Sequence, residues 1–313
     1  MKKNFERQLY AYTPLLEETR PVFPGKKIAY KMDAFQPSGS FKLRGVEHAC
    51  RRALEGGAEK LLSSSGGNAG LAVAYVGNQW GVPVRVVLPE STPASVAEEL
   101  RRLGSEVIIH GSAWDESNAY CLNLLEADHT WAYIPPFDHP DLWEGHGSIV
   151  DELKEQCRTQ PDCIVLSVGG GGLMNGVVEG LKRNGWTDTA ILAVETVGAD
   201  SLYQSVQAGH IVTLDAITSD AKSLGAKRIA ERTFENVQNY RIRPHLVTDA
   251  EAEKACVRFA DEHRVLVEPA CGASLSVVYG KDPSLADFEN IVVIVCGGSK
   301  VDLAALDAWR TLE

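Results

Sequence analysis

The stretch CIVLSVGGGGLMNG (163–176) decides the fold. An apolar run of strand length, CIVLSVG (163–169), passes into four consecutive glycines and then into a pattern of helical spacing. A strand apolar on both faces belongs to a parallel sheet covered by helices. Glycines in such a corner cost chain entropy. Their unhindered N–H groups at a helix start can wrap an anion such as a phosphate, helped by the helix dipole.

The same alternation extends in both directions. Strand-like runs precede it at KIAYKM (27–32), KLLSSS (60–65), VRVVLP (84–89), EVIIHG (106–111) and WAYIP (131–135), and follow it at AILAVE (190–195) and IVVIVCGG (291–298). Helical patterns lie between them, including SVAEELRRLG (95–104) and DAEAEKACVRFADEH (249–263). The latter opens on Thr248 and Glu251 in the spacing of a capping box. Strands alternating with helices predict an α/β protein with parallel sheets. The segment IPPFDHPDLWEGHGS (134–148) interrupts the rhythm and reads as a connection between two α/β halves.

The chain has 313 residues, 44% hydrophobic and 23% charged, enough for two ordinary domains. Its net charge of −11, without a basic stripe, argues against nucleic acid and anionic membranes as partners. No apolar run approaches the roughly 20 residues needed to cross a bilayer, and MKKNFERQLYAYTP (1–14) lacks the apolar core of a secretory signal. Seven scattered cysteines show neither zinc-ligand spacing nor a disulfide framework, which predicts reduced thiols and a cytoplasmic location.

Parallel α/β sheets bind ligands beyond the carboxyl ends of their strands, so the corners carry the chemistry. In QPSGSFKLRG (36–45), small residues precede Lys42. That amine is either an exposed lysine at a helix start or one able to form a Schiff base. SSSGGNAG (63–70) offers hydroxyls, an amide and helix-start N–H groups suited to a carboxylate, but also reads as an ordinary glycine turn. VIVCGGSK (293–300) reads as a strand ending at Cys296, then glycines before a helix. A dinucleotide site also competes, because AILAVE ends in Glu195 about 23 residues after Gly172. The GxGxxG spelling fails, since counting from Gly170 places Asn175 where the last glycine belongs.

Taken together, KMDAFQPSGSFKLRG (31–45), SSSGGNAG (63–70), YIPPFDHPDLWEGHGSIV (133–150), LSVGGGGL (166–173), LVEPACGAS (266–274) and VIVCGGS (293–299) resemble the fold-type II pyridoxal-phosphate enzymes. The resemblance is closest to the catabolic L-serine/L-threonine dehydratases and covers almost the whole chain. It implies a tryptophan synthase β-like α/β fold, with two doubly wound open-sheet domains and the cofactor between them. Residues 1–33 plus 140–313 would form the large cofactor-binding domain and 34–139 the small one.

The resemblance also implies roles. Lys42 would carry pyridoxal 5′-phosphate as a Schiff base and serve as the Cα base. Phe41 would pack on the ring, Asn68 would bond its 3-hydroxyl, and Gly169, Gly170, Gly171 and Gly172 would cradle the phosphate. Ser65, Gly66 and Asn68 would take the substrate carboxylate. Cys296 would face the pyridine nitrogen as a neutral thiol, which makes a weaker electron sink and favours β-elimination. A monovalent cation, potassium in such enzymes, would lie on the Glu195 carboxylate and the carbonyls of Gly169, Ala199, Leu224 and Ala226, an oxygen-only set suited to a hard ion. Glu195 thereby moves from candidate ribose ligand to candidate metal ligand.

The expected reaction is β-elimination of L-serine and L-threonine to pyruvate or 2-oxobutyrate plus ammonia, in a homodimer. The alternatives are β-replacement as in cysteine synthases, serine racemisation, or a non-catalytic nucleotide-binding module. Racemases of this fold carry serine at the position of Gly66, and liver-type dehydratases carry alanine; glycine offers no proton, so weak racemisation is expected. Little sequence follows the CGGS segment, so isoleucine feedback through an extra domain is not expected. His146 in WEGHGS and Cys271 in EPACGAS read as structural.

Overall fold

Apolar runs of four to seven residues are the right length to cross a sheet once, and in the computed structural model each one named above does so. The structure describes Phe5 and residues 7–311. Among these, the strands are β1 Leu15–Glu17, β2 Lys27–Lys31, β3 Lys60–Ser63, β4 Val84–Leu88, β5 Glu106–Ile109, β6 Trp131–Tyr133, β7 Cys163–Ser167, β8 Ala190–Thr196, β9 Ile242–Val247 and β10 Asn290–Ile294.

The chain divides into two compact units. One comprises Lys42–Gly145 with Gln36–Ser38 and the segment ending at Ala11. Its four strands are all parallel, in the order β5-β4-β3-β6. Helices Lys42–Glu55, Asn68–Trp80, Ala94–Arg102 and Trp114–Ala127 connect or flank them. Helix Lys42–Glu55 packs on the helix in Pro140–His146 through a glycine. A Cβ on Gly145 would lie 2.7 Å from the Arg44 carbonyl oxygen.

The other unit comprises Tyr12–Phe35, Gly39–Phe41 and the chain from His146 onward. Its sheet runs β1-β2-β10-β7-β8-β9, parallel except for β1. Every residue of the central strands β7 and β8 is buried, as continuous apolar sequence requires in a sheet covered on both faces. The carboxyl ends of β10, β7 and β8 are neighbours, so the corners that follow them open at one edge of this sheet.

Two details differ from the sequence reading and one agrees. Strand β10 stops at Ile294, so Cys296 lies two residues beyond the strand rather than at its end. Strands β1 and β9 carry no clear apolar alternation. Both are edge strands, which is why β9 tolerates Pro244 without a missing ladder bond in the sheet interior. The capping box forms as spelled: the Thr248 hydroxyl accepts from the Glu251 N–H, and the Glu251 carboxylate accepts from the Thr248 N–H at 2.7 Å.

Candidate functional site

In the first unit, Lys42 is the first residue of its helix. It is half-buried, and its Nζ donates to the Pro136 carbonyl at 2.6 Å. The amine is therefore held by the loop after β6, not free in solvent. The loop after β3 supplies Ser65, Gly66 and Asn68, all half-buried. Asn68 opens helix Asn68–Trp80 behind Gly67, which has no side-chain cap. Ser65 Oγ accepts from the Gly67 N–H at 3.2 Å. Only glycine fits at residue 70, because a Cβ there would sit 1.7 Å from the Ser65 carbonyl oxygen. Sequence reading missed a brace beneath this loop. Ser64 Oγ lies 3.0 Å from Asn118 Oδ1 and 2.9 Å from the Tyr133 hydroxyl, which donates to the same Asn118 oxygen at 2.6 Å. Burial pushes the Tyr133 phenol up to about 12, so the brace stays neutral.

In the second unit, the Phe41 N–H donates to the Cys296 carbonyl at 3.1 Å. The Phe41 ring lies 4.9 Å from the ring of His146, which is fully buried. Gly170, Gly171 and Gly172 are buried beyond β7, and Gly172 begins helix Gly172–Arg183. Gly171 is left-handed (φ +96°), and a Cβ there would lie 1.9 Å from Thr233 Oγ1. Glycine is thus required at 171 on both conformational and steric grounds. Cys296 is buried, and a hydrogen bond with Cys271, followed by desolvation, raises its pKa well above the usual thiol value. It is a neutral thiol.

Glu195, at the end of β8, is fully buried. Its two carboxylate oxygens accept from the N–H groups of Leu202 (2.9 Å) and Tyr203 (2.7 Å) in helix Ser201–Ala208. Desolvation outweighs these bonds and pushes its pKa up to about 8. Gly169 abuts Leu224: a Cβ on the glycine would be 3.1 Å from the Leu224 carbonyl oxygen. The Ala226 carbonyl accepts from Ser201 Oγ at 2.9 Å, and the Ala199 N–H donates back to Thr196. Gly169 thus neighbours Leu224, and Ala226 is tied to Ser201 at the start of the helix whose N–H groups the Glu195 side chain accepts.

Residues 6–297 match the family model for pyridoxal-phosphate dependent enzymes. The chain belongs to that family. Among the similar proteins is human "Serine dehydratase-like", 44% identical over 98% of this chain and 95% of that one. Bovine "L-serine dehydratase/L-threonine deaminase" is 42% identical over 97% and 96%. A fungal L-serine ammonia-lyase from Rhizomucor miehei superposes with a TM-score of 0.90 at 34% identity, covering 98% of this chain and 99% of that one.

The residues present fit the family's cofactor. Gly171 forms a cradle that no other residue could form, at the buried start of a helix, where N–H groups and dipole favour a phosphate. Two buried hydroxyls of the same unit, Ser40 Oγ and Ser167 Oγ, have no hydrogen-bond partner among the described residues and remain available to a polar ligand. Beyond the expected residues, Glu268 is buried against Gly298 and accepts from the Lys300 N–H at 3.0 Å and from the Ser223 hydroxyl. Its only sequence signal is its place in EPACGAS.

Proposed function

We propose that this pyridoxal-phosphate enzyme is an L-serine/L-threonine ammonia-lyase, converting L-serine to pyruvate and L-threonine to 2-oxobutyrate with release of ammonia. The observation that carries the reading is likeness along nearly the whole length of both chains to proteins named for that reaction.

The residues act as follows in this reading. Lys42 would hold the cofactor covalently through Nζ, Phe41 would pack on its ring, and Asn68 would bond its 3-hydroxyl. Gly169, Gly170, Gly171 and Gly172 would hold the phosphate. When bound, pyridoxal phosphate supplies the electron sink that acidifies the substrate Cα–H. Ser65, Gly66 and Asn68 bind the substrate carboxylate and so orient the Cα–H bond. Lys42 Nζ takes the Cα proton, for which the amine must be neutral. The β-hydroxyl leaves as water, and the released enamine tautomerises and hydrolyses to 2-oxo acid and ammonia. A neutral Cys296 facing the ring nitrogen would leave the cofactor a weaker electron sink, which would favour prompt elimination over transamination. Gly66 carries no hydroxyl that could protonate the opposite face of Cα, which disfavours racemisation.

Glu195, with the carbonyls of Gly169, Ala199, Leu224 and Ala226, would hold a monovalent cation, taken to be potassium. The division into a large cofactor-binding domain (1–33 plus 140–313) and a small domain (34–139), a homodimeric assembly and a cytoplasmic location follow from the family resemblance. Seven free cysteines accord with a reducing compartment.

Assay of 2-oxo acid formation from L-serine and L-threonine tests the reading. Both substrates should be consumed with ammonia released in equal amount. Lys42→Ala should lose turnover and the visible absorption of the covalently bound cofactor. A variant that keeps either one would overturn the role of Lys42.

A further inference from the structure

Three buried polar side chains behind the tetraglycine loop have no part in the roles assigned so far. Thr233 and Asn236 lie one turn apart on helix Glu231–Asn239, and Asn175 lies on helix Gly172–Arg183. Thr233 and Asn175 are completely buried and Asn236 is 2% exposed. Asn236 Nδ2 donates to Asn175 Oδ1 at 3.0 Å, and Asn175 Nδ2 donates to Thr233 Oγ1 at 3.1 Å. Thr233 Oγ1 in turn donates to the Gly170 carbonyl at 3.1 Å.

The direction of this chain is forced. A carbonyl only accepts, so the Thr233 hydroxyl spends its proton on Gly170 and must receive from an amide N–H₂. Asn175 therefore presents its oxygen to Asn236. The Gly170 carbonyl also accepts from the Ala230 N–H at 3.0 Å, which fills both of its lone-pair directions. Burying two amides and a hydroxyl is costly unless each is satisfied, and apolar residues of similar size would fill the space without that cost. The chain of bonds ends on one group, the Gly170 oxygen.

A peptide between two glycines can flip with little steric resistance. In a planar trans peptide, the carbonyl of Gly170 and the N–H of Gly171 point in opposite directions. Holding that oxygen toward helix Glu231–Asn239 aims the Gly171 N–H away from that helix. We infer that Asn236, Asn175 and Thr233 form a positioning relay that locks the Gly170–Gly171 peptide and presets the loop's N–H groups for the cofactor phosphate. The inference rests on the proposed cofactor role of the loop.

The test uses the full-length enzyme, stripped with hydroxylamine and titrated separately with pyridoxal 5′-phosphate and with pyridoxal, which lacks the phosphate. Losing one hydrogen bond to the loop in Thr233→Val should weaken pyridoxal phosphate binding roughly tenfold and leave pyridoxal within about twofold. Thr233→Ser, which keeps the hydroxyl, should restore the wild-type ratio of the two affinities. An unchanged ratio in Thr233→Val, whether neither affinity falls or both fall together, would overturn the relay. Should that variant not fold, Asn236→Ser is the substitute: a lower ratio of the same sense supports the relay, and an unchanged one overturns it. Wild-type protein that binds neither ligand would overturn the functional reading and the relay with it. Wild-type binding with an unchanged variant ratio overturns the relay alone.

Discussion

The cation proposed at Glu195 carries a prediction: in its absence stability should depend on pH, in a way that added potassium reverses. Without a cation, burial raises this carboxyl from its ordinary 4.5 to about 8. The folded state then holds a proton that the unfolded chain releases above pH 4.5. Stability from this group is complete below pH 4.5 and falls as pH rises, until it levels off above about 8. The span of about 3.5 pH units corresponds to at most about 5 kcal/mol. A cation binds the ionised form, so it competes with the proton, and its apparent affinity should drop about tenfold for each pH unit below 8.

Thermal unfolding of the dialysed protein, with and without potassium chloride, at pH 5.5 and pH 8.5, measures this. At a hundredfold excess over its Kd, a ligand stabilises by about 2.7 kcal/mol, which is a rise of about 4 °C for a chain of this size. That rise is expected at pH 8.5 and should nearly vanish at pH 5.5. Choline chloride at equal ionic strength controls for screening. Glu195→Gln should lose the potassium effect at both pH values. It should also be less stable in itself, because an N–H₂ replaces one of the two oxygens that accept from the Leu202 and Tyr203 N–H groups. Equal stabilisation at both pH values, or by choline, or in Glu195→Gln, would refute the reasoning.

Gly171→Ala places a side chain in left-handed backbone and 1.9 Å from Thr233 Oγ1, so the purified variant should retain little cofactor by absorbance. Thr248→Ala removes half of a capping box and should lower stability by about 1 kcal/mol in a urea titration, with unchanged KM for L-serine. Wild-type enzyme should form little D-serine from L-serine by chiral chromatography. Gly66→Ser should fold with local side-chain adjustment, since its Cβ would meet side-chain ends and no backbone (Leu88 Cδ2 at 2.9 Å, Thr92 Cγ2 at 3.3 Å, Val96 Cγ1 at 3.5 Å), and should gain racemisation.

The features legible in the sequence are those whose physics is local. A buried strand, a glycine corner and a capping box each declare themselves within about ten residues, and CIVLSVGGGG and Thr248–Glu251 formed as read. Strands β1 and β9 lack a full apolar face because they are edges, and their pairing is set by neighbours distant in sequence. The side-chain braces are illegible for the same reason. Asn175 meets Thr233 across 58 residues, and Ser64 meets Tyr133 across 69, with polar types that read as ordinary helix or loop surface. Glu195 shows the limit most clearly: its place at a strand end was visible, but residue type and spacing alone suited a ribose as well as a cation. The N–H groups of Leu202 and Tyr203 and the burial around them are properties of the folded chain.

The strongest physical case for an anion at the tetraglycine loop comes from comparing helix starts. Each helix begins with N–H groups that lack an acceptor within the helix. Where the first turn is exposed, as at Ala94 and Trp114, its N–H groups are open to solvent, and the N-cap residue makes no side-chain bond. Helix Ser201–Ala208 starts with buried Ser201 and Leu202, and there Glu195 supplies both carboxylate oxygens. Helix Gly172–Arg183 also starts buried, at Gly172, Leu173 and Met174, yet its N-cap residue, Gly171, has no side chain to cap it. A buried helix start without an acceptor is costly, and a polar side chain before it would remove the cost. The chain instead places glycines there, with residue 171 in a conformation that excludes side chains. That arrangement suits the proposed phosphate, which would take the place that Glu195 fills at the other helix.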